Sequence, residues 1–256
     1  MSAERIASMI IAVQRRFGQV RNLRRIAQLG LPSASIIARE QSGAHFRIEN
    51  MPAEFTAYLQ TEHAQIFATK AAEVQVADFE AAVDAASLIF SHSVADAAIF
   101  ELCEITASVR PSDWEHAVSS KKLSLSDVQG MEYSGLLQAA VAAHIRQVER
   151  DSLPEKIKKL IALCRPGAGI LSYSGYQFSE ERLSQIDQER HEVTHNAGPR
   201  LVETIDGDID FLERTVFALM AAVMEKYDLG PSTRQIENAI RQGGTEAPNP
   251  GSPADR

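Results

Sequence analysis

The chain has 256 residues, 45% apolar and 23% charged, with a formal net charge of −8. That is enough for one good core and a second small one, but not for two full domains. No apolar run approaches the roughly 18 residues that span a bilayer, and the start MSAERIASMI has charges where a signal peptide is apolar, so a soluble, cytoplasmic protein without membrane contact is expected.

Residues Ala3 to Leu29 read as one helix, stopped by Gly30 and Pro32. The first fifty residues hold eight arginines against three glutamates, net +5, leaving −13 on the remainder. A basic arm on an acidic body fits RNA or an acidic partner surface. The arginines also fall all around the helical wheel, which fits a solvated face. Asn50 and Pro52 read as an N-cap and first-turn proline opening a second helix through Phe55, Leu59 and Phe67.

A long helix is expected from Ala77 to Val109, because Leu88, Ala95, Ile99, Leu102 and Ile105 recur at core-facing spacings, and Arg110-Pro111 ends it. Trp114 falls in a short segment ending near Lys121 and Lys122, followed by a turn region from Ser124 to Gly130. Leu136, Leu137, Val141, Ile145 and Val148 mark another helix. Ser152-Leu153-Pro154-Glu155 is a capping box that opens a helix through Ile157, Leu160 and Ile161, broken by Arg165-Pro166-Gly167.

Gly167 to Phe178 has no clear period and reads as a loop. Ser179, Glu180 and Glu181 open the next helix, closed by Gly198-Pro199. Asp206 or Asp208 caps a last long helix through Ile209, Leu212, Val216, Leu219, Val223 and Tyr227, ended by Gly230-Pro231. The tail GGTEAPNPGSPADR lacks apolar residues and is expected to be disordered. No internal repeat is visible. Cys103 and Cys164 are too few for a disulfide framework, are not spaced as a metal pair, and read as core-filling. The fold class is all-α.

The chemistry concentrates in RHEVTHN, Arg190 to Asn196. From His191 it is H-E-x-x-H: two imidazoles four residues apart on one helix face for zinc, with Glu192 as general base. The third histidine of the extended zinc pattern would stand at 201, where the chain has Leu201; Glu203 or Glu213 would have to replace it. Arg190 beside a dication is also electrostatically unfavourable.

From Arg190 the same stretch is a cation and a proton-transfer group five residues apart. Metal-independent RNA cleavage needs both: one group to move the proton of the 2′-hydroxyl or the departing 5′-oxygen, and a cation for the charge building on the phosphorane. On an ideal helix the two side chains stand about 140° apart, so converging on one phosphate needs a long arginine side chain or a second copy of the site, which a symmetric dimer would supply.

At Arg190-His191-Glu192-Val193-Thr194-His195 the chain resembles the HEPN family of helical ribonucleases and toxins, whose signature is R-x4-6-H with a polar residue after the arginine. The likeness extends to the helical layout over roughly residues 76 to 229. It implies a HEPN-like helical bundle at 76–230; outside the resemblance, 1–75 reads as an N-terminal helical extension for partner or RNA recognition or dimerisation, and 231–256 as a short helix and disordered tail.

The resemblance further implies a homodimer, catalysis by Arg190 and His195 with His191 as the polar neighbour, an RNA substrate, and neither metal nor cofactor. It also implies a role in toxin–antitoxin or antiviral defence, with an antitoxin or regulatory partner. Family members often carry a polar residue on the early helix facing the motif, for which Ser93 and Asp96 are the candidates. Asp96 is expected to pair with Arg190 or, locally, with His92. Glu192 is then a surface residue. Some family toxins carry a modifiable tyrosine two residues after the histidine, where this chain has Ala197. A noncatalytic HEPN binding or dimerisation module is the remaining class.

Overall fold

The computed structural model describes residues 2–45, 62–119, 130, 132–173, 176–195 and 205–230. About 89% of them are helical, with eight α-helices. In chain order these are α1 (Ser2–His45), α2 (Glu62–Val109), a 3-10 turn (Pro111–Trp114), α3 (Glu115–Val118), α4 (Tyr133–Val148), α5 (Leu153–Cys164) and α6 (Ala168–Leu171). The two-residue strands β1 (Ser172–Tyr173) and β2 (Tyr176–Gln177) follow, then α7 (Glu180–His195) and α8 (Ile205–Tyr227).

The helices divide into two compact units. One comprises the chain through Ile11, Asp96–Ser179 and the chain from Arg214; the other comprises Ala12–Ala95 and Glu180–Glu213. Position 75, where the sequence suggested a boundary, lies inside α2.

The core follows the expected stripes. In α2, Leu88, Ala95, Ile99, Leu102 and Ile105 are each at most 1% exposed, and in α8 every residue from Thr215 to Met224 is buried. The α2 stretch Thr69–Val109 is long and apolar enough to cross a membrane by composition, but 56% of its most apolar window is buried inside the fold, where a core helix needs such residues.

The capping box forms as expected: the Ser152 amide donates to Glu155 at 3.1 Å and Pro154 occupies the first turn of α5. Arg165 ends that helix in the left-handed conformation, φ 48°, and its amide donates to the Ile161 carbonyl at 2.8 Å.

Three expectations are corrected. Gly30 and Pro32 do not stop α1, which runs on to His45. Proline removes one amide donor and crowds the carbonyl four residues back, a cost of about 3 kcal/mol rather than a prohibition. Both Pro32 and Gln28 are exposed, so water can take the carbonyl that the helix gives up.

The helix read through Phe67 and the helix read from Ala77 are one continuous α2, because the intervening ATKAAEVQV contains no breaker. The presumed loop at Gly167 to Phe178 holds α6 and a small antiparallel hairpin, pairing Ser172 with Gln177 and Tyr173 with Tyr176. The Tyr176 hydroxyl anchors it, lying 2.9 Å from Thr215 Oγ1 on α8.

Asp206 and Asp208 lie in the first turn of α8, whose described residues begin at Ile205. The readings at Asn50, Pro52, Phe55, Leu59, Lys121, Lys122, Ser124 to Gln129, Gly198-Pro199 and the tail lie outside the described residues.

Candidate functional site

Helix α7 is the most polar of the long helices, and Leu183 and Ile186 are its buried residues. Continuing their face by three and then four residues leads to Arg190, where an apolar residue would complete the stripe. The guanidinium is therefore drawn partly under, with 31% of the side chain exposed. Nη2 donates to Asp187 Oδ1 at 3.3 Å, while Nε is buried with no hydrogen-bond partner among the described residues.

Asp187 is the residue that organises the site. The same Oδ1 lies 2.9 Å from Nε2 of His92, a buried histidine on α2, so one carboxylate oxygen holds an arginine and a histidine together. The sequence reading missed it. Its signal was present as an acid three residues before Arg190, on the same helix face.

Asp96 pairs with neither Arg190 nor His92, which corrects the earlier expectation. Its two oxygens take Lys156 Nζ at 2.8 and 2.9 Å. Lys156 stands on the buried face of α5 with Leu153, Ile157 and Leu160, and its side chain is 2% exposed. A buried ammonium needs a carboxylate, and Asp96 supplies it. Ser93 is exposed and donates to the Ile89 carbonyl of its own helix at 2.8 Å. Among the described residues Ser93 makes no hydrogen bond to Arg190.

His191 and His195 are both exposed, with ring centroids 4.3 Å apart and planes tilted by 51°. Glu192 accepts a hydrogen bond from the Gln188 amide at 3.1 Å, and the Thr194 hydroxyl donates to the Arg190 carbonyl at 2.7 Å. Of the proposed third zinc ligands, Glu213 is tied to Arg21 and Glu203 lies outside the described residues. Among the described residues no three histidine, cysteine or acidic side chains group as metal ligands would.

Glu189 sits beside the motif with one carboxylate oxygen buried and unbonded among the described residues. Burial raises its pKa and the Asp208 carboxylate adds to the rise, against an opposing pull from Arg182. Asp208 is itself fully buried, held by Arg182.

Three of the six basic-arm arginines whose side chains are described are paired within the fold. Arg5 pairs with Glu101 and Glu104, Arg21 with Asp210 and Glu213, and Arg24 with Asp84 and Asp206. Arg15, Arg16 and Arg25 remain exposed on α1. No protein-family model, curated protein or solved structure matches the chain.

Proposed function

We propose that the chain is a metal-independent endoribonuclease of HEPN type, acting as a homodimer on RNA with Arg190 and His195 as its catalytic pair. The observation that carries this reading is the state of Arg190. It is a half-buried guanidinium braced by Asp187, with Nε lacking a hydrogen-bond partner among the described residues, on the helix that presents His195 to solvent.

An arginine held this way is ready to accept phosphate oxygens, and it stabilises negative charge developing on the phosphorane. The imidazole of His195 moves the proton: it takes one from the 2′-hydroxyl as that oxygen attacks phosphorus, or gives one to the departing 5′-oxygen. Products are a 2′,3′-cyclic phosphate and a 5′-hydroxyl. The two side chains leave one helix about 140° apart, so each phosphate meets Arg190 of one protomer and His195 of its partner. A toxin or antiviral role, with an antitoxin or regulatory partner in the cytoplasm, belongs to the same reading.

The test is cleavage of a mixed RNA pool in excess EDTA. The wild-type chain is expected to cut, and Arg190→Ala and His195→Ala to lose at least about 100-fold. Cleavage that EDTA abolishes points to H-E-x-x-H zinc chemistry at His191, Glu192 and His195. Absence of cleavage points to a noncatalytic module, which the Arg190–Asp187 ion pair would serve as a structural contact.

A further inference from the structure

A cleft of about 540 Å3 opens in the unit that contains α5, between the C-terminal end of that helix and the last turns of α8. Its size suits a small organic molecule. The walls carry four charges, Asp113, Arg165, Glu225 and Lys226, which sum to zero.

Two of these charges are already engaged on one side. Lys226 Nζ donates to the Leu163 carbonyl at 2.5 Å and meets Asp113 Oδ2 at 3.0 Å, and the Tyr227 hydroxyl donates to the same Oδ2 at 2.9 Å. Asp113 Oδ1 has no hydrogen-bond partner among the described residues and can accept a further hydrogen. Glu225 and Arg165 are exposed, with no partner among the described residues.

Arg165 is the unusual member. It occupies a left-handed C-cap, φ 48°, where glycine has no steric cost and a side chain carries strain. A charged side chain in a strained position, without a partner among the described residues and lining a cleft, points to a ligand rather than to the fold. The C-terminal end of α5 meanwhile presents the negative pole of its helix to the same space.

We propose that this cleft binds a small zwitterion, a free α-amino acid or a molecule ending in one, with its carboxylate on Arg165 and its ammonium facing Asp113 and Glu225. A neutral lining with separated cation and anion disfavours ligands of high net charge such as nucleotides, whose phosphates would meet two carboxylates. The site is composed of residues other than those of the Arg190 motif, so it stands whether or not the chain cleaves RNA.

The test is calorimetric titration of the full-length chain, at neutral pH, with each of the twenty L-amino acids, and with butylamine, acetate and adenosine monophosphate as probes. At least one amino acid is expected to bind in the micromolar to low-millimolar range, with the single-charge probes at least about tenfold weaker. Glu225→Gln and Arg165→Gly should each weaken that binding about fivefold or more, the glycine variant while retaining or gaining thermal stability. The proposal is overturned if no amino acid binds up to about 20 mM. It is equally overturned if both variants bind as the parent does, or if adenosine monophosphate binds more tightly than every amino acid.

Discussion

Asp187 is surrounded by demands that only a carboxylate meets: a buried imidazole at 2.9 Å and a half-buried guanidinium at 3.3 Å, both on one oxygen. Asp187→Asn would keep the shape and remove the charge. It is expected to lower stability by about 1–2 kcal/mol in urea unfolding, because the oxygen that both groups share becomes a neutral and weaker acceptor, and to abolish most RNA cleavage by loosening Arg190. An asparagine variant as stable and active as the parent would remove Asp187 from the account.

Glu189 behaves oppositely. Its folded pKa is raised, so its contribution to stability is complete below the unfolded pKa and is lost as pH rises through the folded value. Glu189→Gln should therefore stabilise the fold at pH 7, by up to about 1 kcal/mol, with the gain disappearing at acid pH. Asp113 titrates the other way. Burial works against its carboxylate, but hydrogen bonds from Lys226 and Tyr227 win and hold the pKa below 3.8, so that contribution fades only as pH falls below the usual carboxylate range.

Burial pushes the Cys103 thiol up to about 12 and the Cys164 thiol up to about 11, which keeps both protonated at neutral pH. Iodoacetamide at pH 8 should label neither quickly until the chain is denatured, as mass spectrometry would record. The core position of Cys103 was legible in the sequence, whereas Cys164 is only partly buried and lines the cleft beside α8. Asp96 was misassigned because its partner is Lys156, sixty residues away, and a spacing rule along one helix cannot reach that far.

Helix α5 shows local sequence deciding both ends of an element. Its start is written in Ser152-Leu153-Pro154-Glu155, and Ser152→Ala should cost about 1 kcal/mol by removing one arm of the capping box. Its end is written less favourably, in an arginine at positive φ. Arg165→Gly should raise the melting temperature, corresponding to about 0.5–1 kcal/mol, and a fall would mean that the arginine side chain stabilises the fold directly. The stripes of α2 and α8 were equally readable, since burial imposes the helical period on them. Breakers were weighed too heavily at Pro32: a single exposed proline in a long helix sets a cost that the buried residues preceding it, from Ile6 to Val20, outweigh. The hairpin after α6 was not readable, because strands of two residues are too short to show alternation.

The all-α class follows from the periodicity, but the grouping of helices into two units does not, because α1, α2 and α8 each contribute one part to each unit. The proposed function rests on Arg190 and His195 sharing one helix, about 140° apart on an ideal wheel, and on that proposal a second copy completes each site. Light scattering should accordingly find twice the chain mass. The most direct test mixes Arg190→Ala with His195→Ala chains, lets subunits exchange, and measures RNA cleavage in EDTA. Half of the dimers then pair one variant with the other, each with one intact Arg190–His195 pair across the interface, and activity should return to about a quarter of wild type. A mixture as inactive as either variant alone, beside an active wild type, would contradict the shared site.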